Sequence, residues 1–501
     1  MEFIRNFPFF SIILAMFSGI ISSVISGKWA RRINLVMLCT VMTLSGATLW
    51  YTAHIGESIT FMMGHFPAPW GNEIRFGVLE CLMAFFFALI MLLSILGGQA
   101  RIVEDVEDTK LNLFYVLLNL MMSSFLALIY TNDLFTGYVF VEINTIAACG
   151  MIMMRQNGHG IVAAIRYMVM AQIGSGLFLI GICILYGITG QLLMVPANSA
   201  VQTIVANGQY VIPLVVIIVF ISVGLGIKSG LFPFHSWIPD TYGYATPTAS
   251  AILSGLVSKG YIFLLIKIIY RVIGLPVIAN SKILNVLFGL GVVAMIMGSV
   301  YAILQKDMRK MIAYSSVAQI GYIYMGIGLA TTAGFVAAIF HILTHAATKA
   351  LLFVSARELY EVSGGKTDFK SLRGAGYRSR MAGLAFSVGS LAMVGFPMLA
   401  GFISKYLFAT AAIESPHKML ITFTALIIST FLNAAYFLKT MVTIYSERKQ
   451  YEKEFNLQES VNKSSLMTRI ALLVFVLTNV FLGSFSNIVV DVIQKGLAMF
   501  G

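Results

Sequence analysis

The chain has 501 residues, of which 58% are hydrophobic and only 11% charged, and its mean hydropathy is +0.88. A soluble domain carries about 25% charged residues, so the composition excludes a soluble globular protein and points to a polytopic membrane protein. The net charge of +12 does not indicate nucleic acid, because the basic residues lie in short joints between apolar runs and form no basic domain with interleaved aromatics.

One crossing takes about 20 apolar residues. Apolar runs bounded by charge or by Gly and Pro clusters predict fourteen spans, over residues 8–26, 34–54, 76–97, 111–131, 134–154, 161–187, 210–231, 246–270, 283–304, 310–330, 333–356, 381–411, 419–442 and 468–492. The first run lacks a small-residue cleavage pattern and is long enough to cross, so it is expected to be a span and not a removed signal. Cys39, Cys81, Cys149 and Cys183 stand alone in apolar stretches without C-x-x-C spacing. They read as small core hydrophobes, with neither an iron–sulfur cluster nor a disulfide framework indicated.

The joints after spans 1, 3, 5, 9, 11 and 13 hold twenty Lys and Arg, against six on the opposite side, namely Arg5, Arg75, Arg271, Lys282, Lys418 and Lys495. The excess marks the cytoplasm, so both termini are expected outside. Seven bases remain within predicted spans: Arg166, Lys228, Lys259, Lys267, Lys349, Lys405 and Lys439. A charge at bilayer depth costs roughly 2.5–3.5 kcal/mol even on the lenient insertion scale. Lys267 and Lys439 lie near span ends and are expected to snorkel; Arg166, one turn into span 6, is expected to reach the boundary. Lys228, Lys259, Lys349 and Lys405 need a protein-lined or watery setting.

In chain order, span 5 carries Glu142 within Tyr138-Val-Phe-Val-Glu142-Ile. A desolvated carboxylate takes up a proton or finds a cation, and Lys228 of span 7 is that cation; the competing reading is a static ion pair. Span 8 has Lys259 near its midpoint. Burial disfavours the charged form of an amine, so this lysine is a relay candidate. Span 11 reads His341-Ile-Leu-Thr344-His345-Ala-Ala-Thr348-Lys349; spacing of four puts His341, His345 and Lys349 on one face, each about 6 Å above the last. A zinc site is a competing reading, without a third nearby ligand to support it. Glycines and a proline interrupt span 7 at Gly224 to His235 and span 12 at Gly395-Phe-Pro397 to Lys405. Broken helices in matching places point to inverted-repeat transport sites. The expected division is 1–110 for spans 1–3, 111–271 for a first five-span repeat, 272–445 for a second, and 446–501 for a cytoplasmic loop and the last span.

Together these residues resemble the antiporter-like subunits shared by respiratory complex I, membrane-bound hydrogenases and the Mrp-type multisubunit sodium/proton antiporters. The specific stretches are Gly64-His-Phe-Pro67-Ala-Pro69-Trp-Gly71, Tyr138 to Glu142, Phe232-Pro-Phe-His235-Ser-Trp237-Ile-Pro239-Asp240, Gln305 to Lys310 continuing into Ala313-Tyr-Ser-Ser316, His341 to Lys349, and Gly395 to Lys405. The resemblance implies that Glu142 and Lys228 are the paired charges of spans 5 and 7 and that Lys259 is the central lysine. It likewise implies that His341, His345 and Lys349 form the span 11 relay and that Lys405 faces the outer exit. A lysine at the span 12 position and the 501-residue length resemble the D-type member of the Mrp antiporters. Pro397-Met398 stands where many relatives have a double proline.

The expected function is proton translocation along these seven residues, in a subunit of a multisubunit sodium/proton antiporter of the cell membrane. The alternative is a pumping subunit of a redox-driven NADH-quinone oxidoreductase or hydrogenase complex. A non-conducting scaffold and an intramembrane metal enzyme using His341 and His345 are further alternatives. No cofactor or metal site is expected in the chain. Its expected partners are other membrane subunits, protons, sodium ions and lipid, but not nucleic acid.

Overall fold

The computed structural model describes residues 2–66, 71–447 and 464–500. Pro67 to Trp70 of the first resemblance motif lie outside the described residues. So do Arg448, Lys449, Lys453 and Lys463 of the loop within 446–501.

Long apolar runs fold as helices because a helix satisfies every backbone polar group within itself, which lipid requires. α1 (Phe7–Val24), α2 (Gly27–Ile55), α3 (Val78–Asp105), α4 (Leu111–Tyr130), α5 (Leu134–Met153) and α6 (Gly158–Thr189) take up predicted spans 1–6. A short helix not marked by the apolar pattern, α7 (Met194–Ala206), precedes α8 (Val211–Ser229) and α9 (Ile238–Tyr244). Span 8 runs from Pro247 to Ile273 as α10 (Pro247–Ile252) and α11 (Ser258–Ile268), each followed by a five-residue π-helical turn. The remainder is α12 (Leu275–Asn280), α13 (Ile283–Ile303), α14 (Met308–Gly328), α15 (Thr332–Glu361), α16 (Ala375–Arg378), α17 (Arg380–Val394), α18 (Ala400–Ile413), α19 (Pro416–Ile444), α20 (Leu466–Ser484) and α21 (Ser486–Ala498).

Twelve helices among the described residues are long and apolar enough to cross a membrane. With α14, whose face carries Ser315, Ser316 and Gln319, and with the split pair α17 and α18, they correspond to the fourteen predicted spans. Two departures stand out. Predicted span 14 does not continue to residue 492: Phe485 ends α20, and α21 sets off as a separate helix. A two-stranded antiparallel sheet joins α2 to α3, with β1 (Ile59–Met62) paired to β2 (Glu73–Phe76) in the register Ile59 to Phe76.

The boundaries follow capping chemistry. Asp133, Asn157, Asp307, Thr331 and Ser465 each accept a hydrogen bond from the backbone N–H three residues on, at the starts of α5, α6, α14, α15 and α20. Close packing uses glycine. A Cβ on Gly224 would lie 2.6 Å from the Gly174 carbonyl oxygen, and one on Gly321 2.6 Å from that of Gly291. The backbones of α6 and α8, and of α13 and α14, therefore approach as only small residues allow. The most hydrophobic stretches of α15 and of the Pro247–Ile273 span are wholly buried, whereas those of α1, α2, α6 and α19 are buried over 33–39%. The two polar-bearing spans are thus the axis of the bundle, and the outer helices turn aliphatic faces outward.

Candidate functional site

α8 ends at Gly230, whose positive φ of 78° closes the last turn by donating N–H to the carbonyls of Gly226 and Ile227. Lys228 lies in that turn, where the terminal carbonyls favour a cation. The glycine contact with α6 brings its stem against Gly174, to which a Cβ would come within 3.0 Å. The Lys228 Nζ lies 3.4 Å from Glu142 Oε1 and donates to the Thr145 hydroxyl at 2.5 Å. Glu142 Oε2 also accepts from Gln172 Nε2 at 3.1 Å. Lys228 is buried, whereas Glu142 is partly open. The Lys228 ammonium also sits 5.4 Å from the ring centre of Tyr261, whose hydroxyl donates to Asn144 at 2.9 Å.

Tyr261 lies two residues past Lys259. The π-helical turn Leu253–Val257 frees the Ser254 carbonyl, which takes a hydrogen bond from Lys259 Nζ; the Ser258 hydroxyl takes another at 3.1 Å. Such turns within helices recur at functional sites. Lys259 is fully buried, and no acidic side chain among the described residues pairs with it. The same turn rests on α15, because a Cβ on Gly255 would lie 3.5 Å from the Ala346 carbonyl and 3.9 Å from Ala350 Cβ. Ala346 adjoins His345, and Ala350 adjoins Lys349.

On α15 the rings of His341 and His345 stack with centroids 6.0 Å apart, the spacing expected of positions i and i+4. His341 Nδ1 is 2.6 Å from the Ser404 hydroxyl. Neither ring nitrogen of His345 has a hydrogen-bond partner among the described residues, although the residue is fully buried. Lys349 donates to the Ile312 carbonyl at 3.0 Å and to the Ser315 hydroxyl, both on α14.

Lys405 sits beyond the break between α17 and α18, where Gly395 and Met398 have positive φ of 94° and 68°. It fills the gap, donating to the freed Val394 carbonyl at 2.5 Å and to Thr430 at 2.9 Å. The breaks expected in spans 7 and 12 are both present. Tyr322 joins the two arms: its ring stacks on His341 at 5.3 Å and lies 6.0 Å below the Lys405 ammonium. Among the described residues Glu142–Lys228 is thus the one ion pair of the seven, and Lys259, Lys349 and Lys405 are solvated by neutral oxygens. No group of three His, Cys, Asp or Glu side chains among the described residues is arranged to hold a metal.

The sequence reading missed Tyr322, Tyr261 and Thr145, since their types are unremarkable and only packing places them between charges. It also missed Glu80, although Glu80 is the sole acidic residue of predicted span 3. Glu80 Oε1 meets Arg271 Nη2 at 2.6 Å with neither side chain exposed, so Arg271 is not an outer-loop residue. Lys267 does not snorkel. It is fully buried and donates to the Ile129 and Thr131 carbonyls at 2.7 and 2.6 Å, where α4 ends. Arg166 pairs with Asp240 at 2.6 Å and is largely exposed, and Lys439 is exposed beside the Phe369 ring.

The family model described as NADH:quinone oxidoreductase/Mrp antiporter, transmembrane, matches residues 131–432, which include all seven candidate residues. The chain is 30% identical to NADH-quinone oxidoreductase subunit N of Desulforudis audaxviator over 452 residues, 88% of this chain and 86% of that one. It is 27% identical to the D-type component of the Na(+)/H(+) antiporter of Alkalihalophilus pseudofirmus over 354 residues, 70% and 69% of the two chains. A chain of the membrane-bound sulfane sulfur reductase, an archaeal respiratory membrane complex, superposes with a TM-score of 0.88 over 100% of this chain and 98% of its own, at 22% identity. One of the Mrp complex from a Dietzia species does so with 0.85 over 99% and 97%, at 20% identity. These two share the fold. The chain belongs to the NADH:quinone oxidoreductase/Mrp antiporter family and is an antiporter-like membrane subunit.

Proposed function

We propose that the chain carries protons across the membrane along Glu142, Lys228, Lys259, His345, Lys349 and Lys405, with His341 linking His345 to Lys405. The observation that carries this reading is that Lys259, Lys349 and Lys405 are buried or half-buried without a carboxylate partner among the described residues, each held by neutral oxygens. An amine so held is able to gain or lose a proton without breaking an ion pair. His345, with two open ring nitrogens, offers hydrogen-bonding capacity for water midway. Moving one charge against about 100 mV takes about 2.3 kcal/mol. A pair of unit charges about 4 Å apart is worth about 4 kcal/mol at an effective dielectric of 20, so opening and closing the Glu142–Lys228 pair involves an energy of the required order.

The chain is proposed to act within a multisubunit membrane complex, with its basic loops cytoplasmic and both termini outside. The two five-span halves, 111–271 and 272–445, are proposed to be inverted repeats, each broken beside a buried lysine. As an Mrp-type component it would take its energy from sodium/proton exchange. Similarity to a subunit N over 88% of the chain favours a second reading, in which a redox-driven complex supplies the energy.

The test is proton movement in vesicles holding the intact complex. Lys259→Ala and Lys405→Ala should each reduce it by at least tenfold, and unchanged transport in both overturns the reading. Movement driven by an imposed sodium gradient alone supports the exchange form; dependence on an electron donor supports the redox form. Full transport in a Glu142→Gln, Lys228→Met double variant would leave only a scaffold role.

A further inference from the structure

Where α17 and α20 begin, at the end of the bundle where α15 finishes, a cleft of about 630 Å³ opens. Its lining combines Arg378, Arg380 and Arg469 with Leu384, Ile470 and Leu473, Leu384 and Leu473 standing one turn beyond Arg380 and Arg469 along α17 and α20. Three other arginines in loops predicted on the same side are neutralised. Arg101, Arg155 and Arg357 pair with Glu104, Asp105 and Glu361. Arg378 donates to the Arg373 carbonyl at 3.3 Å, whereas Arg380 and Arg469 form no ion pair among the described residues. Both stand in first turns of helices, where the helix end is itself positive, so among the described residues their positive charge facing the cleft is uncompensated.

The wall beyond the arginines is apolar. Leu384, Ile470 and Leu473 are exposed, and the stripe continues along α20 to exposed Leu477. A soluble anion has no use for such a wall, and an acyl chain has no use for the arginines alone. Their combination fits an amphiphile with an anionic head. Basic pockets between spans at a membrane surface recognise anionic headgroups in this way, and guanidinium forks match phosphate oxygens in pairs.

We propose that this cleft binds one anionic phospholipid, with its phosphate between Arg380 and Arg469 and an acyl chain along Leu384, Ile470 and Leu473. The lipid would tie the start of α17 to the start of α20, which α18 and α19 separate in sequence. The site lies apart from Glu142 to Lys405, and its occupancy does not depend on how transport is driven.

The test uses the intact complex stripped of lipid in detergent, titrated with phosphatidylglycerol and, separately, phosphatidylcholine, and read by native mass spectrometry. One phosphatidylglycerol per chain should bind in preference to phosphatidylcholine. Arg380→Gln with Arg469→Gln should weaken it by on the order of 30-fold, at about one half to one decade per basic residue. Arg380→Lys with Arg469→Lys should restore most of the binding, which separates lost charge from lost folding. Inorganic phosphate should not compete, because it gains nothing from the apolar wall. Equal binding of the two lipids, unchanged binding in the double Gln variant, or a Leu384→Cys variant whose cross-linker captures a neighbouring protein of the complex would each overturn the assignment.

Discussion

The Lys228 ammonium lies nearer to the Thr145 hydroxyl, at 2.5 Å, than to the Glu142 carboxylate, at 3.4 Å. Glu142 and Thr145 are three residues apart on α5, so they share a helix face, and the lysine stands between a charged and a neutral acceptor. Glu142 is in turn shared with Gln172. The pair is thus loosened on both sides, which suits the opening and closing proposed for it.

Removing the neutral acceptor should therefore tighten the pair. A hydrogen bond of this kind contributes about 0.5–1.5 kcal/mol net, so Thr145→Val is expected to slow proton transport by up to about tenfold while leaving assembly intact. Vesicle transport rates of the reconstituted complex measure this; an unchanged rate means the hydroxyl does not share the lysine.

Gly395 holds the span 12 break open. Its φ of 94° is one that side chains avoid, and a Cβ there would lie 3.2 Å from Lys405 Nζ. Gly395→Ala should cost about 1–2 kcal/mol from backbone strain and push the ammonium off the Val394 carbonyl. Lower thermal stability in detergent together with impaired transport is expected. Loss of stability alone would detach Lys405 from the path.

The Glu80–Arg271 pair is sealed from solvent, and Arg271 lies over the Phe500 ring at 4.2 Å. Removing one partner of such a pair strands a buried charge and costs about 3–5 kcal/mol, whereas removing both is far milder. Arg271→Met should lower expression and thermal midpoint sharply, and adding Glu80→Gln should recover much of the loss. Gln still accepts the Gly77 N–H that Glu80 holds at 2.9 Å. Thermal unfolding of both variants decides the matter.

Asp368 lies in the loop between α15 and α16. Partial burial pushes its carboxyl up, but hydrogen bonds from the Ser371 hydroxyl and N–H, at 2.8 and 3.1 Å, prevail and hold it below the usual aspartate range. A depressed folded value means that the stabilisation is complete above the unfolded value of about 3.9 and is lost as pH falls through the folded one. Hydrogen exchange in this loop should accelerate only in that acid window. In Ser371→Ala the acceleration should begin at higher pH.

The buried lysines and paired histidines were legible because an ionisable side chain in an apolar run is costly in lipid wherever the helix packs. The glycine and proline breaks beside Lys228 and Lys405 were legible because both residues alter the backbone locally. Lys267 and Arg271 were misread, since position near a span end says nothing about what packs there. The end of α4 accepts the one, and Glu80 accepts the other. The single long span expected at the C-terminus failed similarly, as apolar residues continue across the turn at Phe485.

Composition and local pattern by themselves determined that this is a bundle of membrane spans, which spans carry charge and where two of them break, because each follows from the cost of placing one residue in hydrocarbon. Tertiary structure alone decided which charges have partners. It put Thr145 beside Lys228, Tyr322 between His341 and Lys405, and Glu80 against Arg271, because a partner distant in sequence is chosen by how helices pack, which no local periodicity encodes.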